Sequence, residues 1–514
     1  MNPTKAISLP LLVCALALPA GAASYYFNAA NIADTAVDLN DASVWYLDAD
    51  FTVQATEAPN FTDGTADLYF SGVSTTTGSP KLSFGGDVYV NSITWDAGGS
   101  ANLNYAPVLT SSEGATIRIK GNLKNNTKYD GYMGGGNNNA IIVEGDLYLS
   151  STIGSADARI GSIKSIVVNG VTTVGHTGQN YGKIYATGES SIDNPNILFK
   201  SHIVGNTPRE GSDTETLQYG SFNDMQVDND SHMWVNGFSG TAGVAIRSNA
   251  ESAGSLTVVL TNNSQSQYST GSIGYIFGYT GTSGAKLGFV VRSSAYDDDL
   301  SITRYLSYGQ SFSGGTMKFE GGVRMQSGFL YLNYAADGAD MNHGTLSLEK
   351  HSEAEVARFG NSNEQVGGTF AFDSLEVSGD GGTIRVRLDL DENNAAICDK
   401  LSFEKGATGS GRVTIELTDA LGNLPDDYWT YLIRENAEDG LQVMSWTEGA
   451  ADTVSFVTNS YCEEYELDGV VYRFAAYDDA DGLYVSYIAV PEPAEWAAIF
   501  ALISLAAAAR RRRK

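Results

Sequence analysis

Three stretches of the chain share one pattern: residues 117–125 read IRIKGNLKN, residues 141–149 read IIVEGDLYL, and residues 166–174 read IVVNGVTTV. Each stretch alternates apolar with other residues and carries a glycine at its fifth position. These glycines are 24 and then 25 residues apart. The same form, apolar-x-apolar-x-Gly-x-apolar-x-apolar, returns at residues 82–90 and 317–325. The repeat indicates a fold made of stacked copies of one strand unit.

A period of about 24 residues fits one turn of a parallel β-helix, in which two or three short strands are joined at tight corners. Alternation points one set of side chains inward, so that Ile, Val and Leu of successive turns form one continuous core. A glycine in mid-pattern permits a bend or bulge where the strand turns a corner. Antiparallel hairpins in sandwiches are the competing all-β interpretation, but the even spacing favours a parallel β-helix, or solenoid.

The composition is that of an acidic β-rich protein, with 57 Gly, 28 Tyr and a formal net charge of −29 in 514 residues. Lys5 and the last five residues hold six of the 31 basic residues, and Glu492 and Glu495 are two of the 60 acidic ones. The segment between them therefore has 25 basic and 58 acidic residues, a net charge of −33. Such a surface repels nucleic acid, so no nucleic-acid partner is expected.

The N-terminus has the features of a secretory signal. Lys5 precedes an apolar run from residue 7 to residue 18, and Ala20 and Ala22 are small residues at the positions that a signal peptidase requires. We therefore predict a signal peptide with a short helix over residues 1–22, removed after Ala22.

The C-terminus, residues 490–514, reads VPEPAEWAAIFALISLAAAARRRRK. Residues 494–509 contain no Lys or Arg and would form a helix of about 24 Å, short of the roughly 30 Å of a bilayer core. The basic tail would stay in the cytoplasm and lengthen the span by snorkelling. We predict one short transmembrane helix followed by a cytoplasmic tail of Arg510, Arg511, Arg512, Arg513 and Lys514.

The order of Val-Pro-Glu-Pro, apolar helix and Arg-rich tail resembles the PEP-CTERM sorting signal. The resemblance implies recognition of Pro491, Glu492 and Pro493 by an exosortase-type membrane protease. The precursor would be held in the inner membrane transiently, and the product would then reach the cell surface or the extracellular polysaccharide matrix. A permanent tail anchor in the envelope is the alternative for the same residues.

A second resemblance concerns the body of the chain. NDASVW at 40–45, DLYFSG at 67–72 and GGDVYVNSITWDAG at 85–98 are similar to the start of autotransporter-like passenger domains. That family implies a β-helical surface protein with a capping first segment. The strand pattern becomes longer near residue 380, and we predict a β-solenoid over residues 23–382 and a C-terminal β-domain or cap over residues 383–489.

No set of residues predicts catalysis, a metal site or a cofactor, and we expect a structural or adhesive protein. The alternative is a β-helical polysaccharide hydrolase or lyase that uses carboxylates of residues 297–299 or of Asp389, Asp391 and Glu392, although solvated turns explain these acids better. Cys398 and Cys462 are the two cysteines after the signal peptide, and they could form one disulfide or remain two buried thiols.

Overall fold

The structure is a computed structural model. It describes residues 22–32, 36–74, 80–96, 98–99, 108–127, 132–133, 139–151, 158–174, 182–186, 188, 190–192, 194–205, 221–227, 231–239, 243–246, 255–260, 277–278, 286–291, 303–306, 320–326, 328–332, 342–349, 357–361, 366–419, 440–458, 465–467 and 469–489. The predicted signal helix and transmembrane helix lie outside these residues.

The described chain is all-β, with large and mainly parallel sheets that are compatible with a β-helix. It contains 42 strands and two short 3-10 helices, Ala29–Asn31 and Ala42–Val44. Most strands belong to three parallel ladders, and the described strands within residues 81–260 and 342–419 visit them in the order 1, 2, 3 before the chain returns to ladder 1. We call one such passage a rung. Three strands per rung agree with the repeat period seen in the sequence.

The first ladder has two separate stretches. Its strands are β2 (Val37–Asp38), β6 (Lys81–Ser83), β10 (Val108–Thr110), β13 (Tyr132–Met133), β16 (Ala158–Ile163), β19 (Gly182–Ala186), β21 (Ser221–Val227), β23 (Gly243–Ile246) and β25 (Phe277–Gly278), and then β30 (Asn342–His343), β33 (Thr369–Phe372), β36 (Lys400–Phe403) and β38 (Leu441–Trp446).

The second ladder includes the first parts of four long strands. Its strands are β7 (Val88–Val90), β11 (Thr116–Ile119), β14 (Ala140–Val143), β17 (Ser165–Val168), β20 (Ile197–Gly205), β22 (Ser231–Ser239), β24 (Ser255–Leu260), β26 (Lys286–Val291), β28 (Val323–Met325), β31 (Leu346–Glu349), β34 (Leu375–Leu390) and β37 (Ala407–Asp419).

The third ladder takes the second parts of β20, β22, β34 and β37. Its other strands are β1 (Ala23–Asn28), β4 (Ala66–Ser71), β8 (Ser92–Trp95), β12 (Leu123–Thr127), β15 (Leu147–Ser151), β18 (Thr172–Val174), β27 (Thr303–Leu306), β29 (Gly328–Leu332), β32 (Ala357–Asn361) and β39 (Val454–Thr458).

The remaining strands lie outside the ladders. They are β3 (Trp45–Tyr46), β5 (Val73–Ser74), β9 (Gly98–Gly99), β35 (Ala396–Cys398), β40 (Tyr465–Leu467), β41 (Val470–Asp478) and β42 (Gly482–Ala489). At the N-terminal end β3 pairs antiparallel with β1. After β38 the chain ends in an antiparallel sheet in the order β38, β42, β41, β40.

The core consists of the inward-facing side chains of successive rungs, which lie in register with one another. In ladder 2, Ile117, Ile141, Ile166 and Ile197 are each in register with the next and are at most 1% exposed. Each such side chain stabilises the fold by about 1.5–3 kcal/mol through burial. Alternation therefore predicted the core of the regular rungs correctly.

The repeated glycines mark corners of the rung. Gly121, Gly145 and Gly170 lie at the corner between ladders 2 and 3, where the amides of Gly145 and Gly170 each donate to the carbonyl of the previous corner glycine over 3.0 Å. None of the three has a φ in the left-handed range. A Cβ on Gly145 would lie 2.6 Å from the Gly121 oxygen, so close stacking rather than a bend requires glycine here.

The other two copies of the pattern mark a different corner. Both glycines directly precede a strand of ladder 2: Gly86 lies between β6 of ladder 1 and β7, and Gly321 lies before β28. A Cβ on Gly86 would meet no atom within 4 Å. The pattern identifies two consecutive short strands but not which of the three corners joins them, because every corner joins alternating strands in the same way.

The predicted division between residues 382 and 383 falls within β34. This strand pairs in parallel with β31 and β32 on one side and with β37 on the other. Parallel pairing thus continues from residue 375 to β39, and an antiparallel sheet follows it.

Candidate functional site

The predicted sorting residues Pro491, Glu492 and Pro493 and the basic tail after residue 509 lie outside the described residues. Ala20 does as well, whereas Ala22 is exposed and directly precedes β1. The Ala23 amide donates to the Thr65 oxygen over 3.1 Å. Removal of residues 1–22 would make Ala23 the first residue of ladder 3 and turn this amide into the amino terminus. Among the described residues no helix is long and apolar enough to cross a membrane.

Cys398 is buried at the end of β35, and its thiol donates to the Gln442 backbone oxygen over 3.4 Å. Burial raises the pKa of this thiol to about 12. Cys462 lies outside the described residues, so the pairing of the two cysteines stays a prediction.

The structure describes only some of the acidic residues on which the alternative enzyme hypothesis depends. Residues 297–299 lie outside the described residues, and Asp391 starts the turn between β34 and β35. Its carboxylate accepts the amides of Asn393 and Ala395, both over 2.8 Å, and these bonds hold the pKa of Asp391 below its ordinary value. Asp391 therefore stabilises its own turn. In the described part of the chain no three His, Cys, Asp or Glu side chains are grouped so as to hold a metal ion.

The outer face of ladder 3 carries a column of aromatic and polar side chains. Side chains alternate along each strand of ladder 3: in β4, Leu68 and Phe70 point into the core and the residues between them point outward. Outward residues that are paired between neighbouring strands therefore line up in a column. The column, in register from rung to rung, consists of Tyr26, Tyr69, Thr94, Lys124, Tyr148 and Thr173. We call these six residues the ladder 3 strip.

Two contacts in the strip show aromatic rings available at the surface. The rings of Tyr26 and Tyr69 stack with centroids 4.8 Å apart and planes 14° apart, and both residues are partly exposed. Farther along, the Lys124 ammonium lies 5.4 Å from the centre of the Tyr148 ring. The distances between these side chains follow from the separation of neighbouring strands, which is about 4.8 Å.

A second column of polar groups runs beside the strip. The Asp67 carboxylate accepts one hydrogen bond from the side-chain amide of Asn91 over 2.7 Å and another from the Ser92 hydroxyl. The Asn122 side-chain oxygen accepts the Asp146 amide, and the Asp146 carboxylate accepts the Val171 amide, both over 2.9 Å. These bonds link neighbouring rungs and fix the carboxylates in position.

The carboxylates also act on the tyrosines. The Tyr148 hydroxyl donates to Asp146 over 3.2 Å. Burial, followed by the neighbouring Asp67, raises the pKa of Tyr69, and burial together with Asp146 raises the pKa of Tyr148. Both phenols remain protonated hydrogen-bond donors at neutral pH. The strip offers ring faces and hydroxyl donors along one line, and the column beside it offers carboxylate acceptors. This combination is suited to the C–H faces and hydroxyls of a sugar chain.

The strip was not identified from the sequence. The signal that could have found it is the tripeptide Asp-Leu-Tyr, which occurs at residues 67–69 and again at 146–148. The sequence offers two other aromatic clusters that could stack on sugars, DDYWTYL at 426–432 and YLNY at 331–334, and both fall where no side chain is described.

No protein-family model matches the chain, and no curated protein matches it significantly.

Proposed function

We propose that this chain is an exported parallel β-helix with a C-terminal β-domain or cap, with a structural or adhesive role at the cell surface or in the extracellular matrix. The precursor would carry a signal peptide and a sorting signal cut by an exosortase-type protease. The support for export is the pair of terminal sequence signals around a body with a net charge of −33.

The observation that carries the adhesive role is the ladder 3 strip. Stacked Tyr26 and Tyr69, with the Asp67 carboxylate beside them, form a linear surface rather than a closed pocket. A linear surface suits an extended polymer, and its ring faces suit one made of sugars. We therefore propose an extracellular polysaccharide as the partner.

Export and processing are tested by locating the native protein and sequencing its C-terminus. The proposal predicts a form at the surface or in the matrix that lacks Arg510–Lys514. A product that stays in the membrane fraction with its basic tail intact would instead indicate a permanent tail anchor.

Polysaccharide binding is tested by retention of the protein on matrix polysaccharide from the producing cells. Tyr69→Ala should weaken retention severalfold, because it removes one of two stacked rings, whereas Tyr69→Phe should keep most of it. Tyr477 and Tyr484 stack with centroids 5.6 Å apart outside the strip, so Tyr477→Ala is the matched control. Equal retention of Tyr69→Ala and the unsubstituted chain would remove the strip from the proposal.

A further inference from the structure

The tripeptide Asp-Leu-Tyr gives the ladder 3 strip two comparable positions. The first copy places Asp67 and Tyr69 on β4, and the second places Asp146 directly before β15 and Tyr148 within it. In each copy the acid and the tyrosine are two residues apart, which is about 7 Å along a strand and on the same face. All four residues are partly exposed. Each copy therefore combines a carboxylate with an aromatic ring at the surface.

In the second copy the chain supplies a cation of its own. Lys124 is the residue of the preceding rung that is in register with Tyr148, and its ammonium lies 5.4 Å from the centre of that ring. A cation within about 6 Å of a tyrosine ring is attracted by the negative ring face. The Tyr148 hydroxyl donates to the Asp146 carboxylate over 3.2 Å, so the acid lies beside the same ring. This copy shows that the pattern accommodates a primary ammonium group.

In the first copy the corresponding position holds a second ring. The residue of the preceding rung in register with Tyr69 is Tyr26, and the two rings stack with centroids 4.8 Å apart. Both hydrogen bonds to the Asp67 carboxylate, from Asn91 and Ser92, end on Oδ1. Within the described part of the chain no group donates to Oδ2 of this carboxylate, and no cation lies over either ring. The first copy can therefore accept an ammonium group from a ligand.

The charges around the first copy also favour a positive ligand. Asp96 follows β8 two residues after Thr94 of the strip and is partly exposed, so alternation directs it to the same outer face. The body of the chain, with its net charge of −33, attracts a cationic polymer and repels an anionic one. A neutral sugar would leave the open oxygen of Asp67 without an ionic partner. A sugar that bears an amine fits the rings and the carboxylate together.

We propose that the polysaccharide bound by the ladder 3 strip contains amino sugars with free amines, and that their ammonium groups pair with Asp67 beside the stacked rings of Tyr26 and Tyr69. The sugar rings lie against the aromatic side chains, and the ammonium donates to Oδ2. The inference rests on the polysaccharide binding proposed above and adds the chemical class of the polymer. Because acetylation removes the charge of the amine, the site should distinguish two forms of one sugar.

The test compares a soluble glucosamine oligomer with its N-acetylated form by calorimetric titration of the full chain in a mild nonionic detergent. The unsubstituted chain should bind the amine form about tenfold more tightly, because only that form makes a charge-assisted hydrogen bond. Asp67→Asn keeps Oδ1 as the acceptor for Asn91 and Ser92 but replaces Oδ2 with an amide donor, so it should bind both forms equally. Asp452→Asn, at an exposed turn before β39, removes the same charge elsewhere and should keep the preference.

A second pair of variants fills the site from within the chain. Tyr26→Lys places an ammonium where Lys124 lies relative to Tyr148, so this variant should lose the preference for the amine. Tyr26→Met has a side chain of comparable length without a charge. It should bind both oligomers more weakly, because one ring is lost, and should still prefer the amine form.

The inference is overturned if the unsubstituted chain binds the two oligomers equally, or if Asp67→Asn retains the preference. It is also overturned if an oligolysine of the same length binds as tightly as the glucosamine oligomer, since charge without sugar rings would then suffice. Any of these results, combined with Tyr69-dependent retention on the matrix polysaccharide, leaves the proposed function standing. Retention of Tyr69→Ala equal to that of the unsubstituted chain removes both proposals for the strip.

Discussion

The corner between ladders 2 and 3 is built differently in the regular N-terminal rungs and in the rungs around residues 375–419. In the former, Gly121, Gly145 and Gly170 have φ values outside the left-handed range and need glycine only because the rungs stack closely. In the latter, Gly379 and Gly411 have φ of 74° and 132°, and the strands continue through the corner as β34 and β37. At a corner between two short strands, glycine is therefore required only because a Cβ would have no room. At a corner within a long strand, glycine is required both for lack of room and for its left-handed backbone conformation.

The largest effect is expected from Gly411→Ala. A Cβ there would lie within contact of the Gly379 oxygen, and the φ of 132° is one that alanine avoids. Strain of about 1–3 kcal/mol and overpacking of about 1–3 kcal/mol should together lower the free energy of unfolding by about 2–6 kcal/mol. Urea denaturation measures it. A loss below roughly 1 kcal/mol, about the error of such a comparison, would contradict the geometry of this corner.

A comparable effect is expected from a buried ion pair found in the C-terminal rungs. The Arg387 Nε donates to the Asp399 carboxylate over 2.8 Å, and the two side chains are 9% and 6% exposed. Arg387→Met should cost about 3–5 kcal/mol, because it leaves a buried carboxylate without its cation. The double variant Arg387→Met/Asp399→Leu should recover most of that loss in the same denaturation experiment. No recovery would show that the pair is not the source of the loss.

Gly145→Ala should have a smaller effect, about 1–3 kcal/mol, because the new Cβ meets the carbonyl of Gly121 without any φ penalty. Gly86→Ala is the matched control, since the same sequence pattern contains it and its Cβ would meet no atom within 4 Å. The control should be neutral or slightly stabilising. Equal losses for the two variants would mean that the two corners are not distinct.

The smallest effect is a pH dependence of the N-terminal segment. Hydrogen bonds from neighbouring residues hold the pKa of Asp41, Asp48 and Asp63 below the model-compound value of 3.8. A carboxylate whose pKa is lower in the folded state stabilises the fold at pH values above its unfolded-state pKa. That contribution is lost as the pH falls below 3.8 and through the lowered folded-state pKa values. Hydrogen-exchange protection, measured relative to the intrinsic exchange rate at each pH, should therefore fall more at residues 36–66 than at residues 407–419 on acidification. Asp48→Asn should reduce the difference.

The regular rungs could be predicted from the sequence because their short strands alternate strictly and repeat at an even interval. The choice between two and three strands per rung could not be made from the sequence, since the strands of ladder 1, such as β10 and β13, are too short for a clear alternation. The ladder 3 strip was missed because its residues are far apart in the chain and meet only through register. Burial of Arg387 and Asp399 was also unpredictable, because charged residues in a strand usually indicate the solvent face.

The direct test of the stacked-rung account is a pair of distances between spin labels on the outer face of ladder 3. Labels at Tyr69→Cys and Thr173→Cys span four ladder steps, and labels at Tyr26→Cys and Thr173→Cys span five. At about 4.8 Å a step, the backbone separations should be about 19 and 24 Å. Labelling of the native cysteines is subtracted with the unsubstituted chain. Two distances that differ by one step support parallel stacking, whereas distances unrelated to the step count, as antiparallel hairpins would give, contradict it.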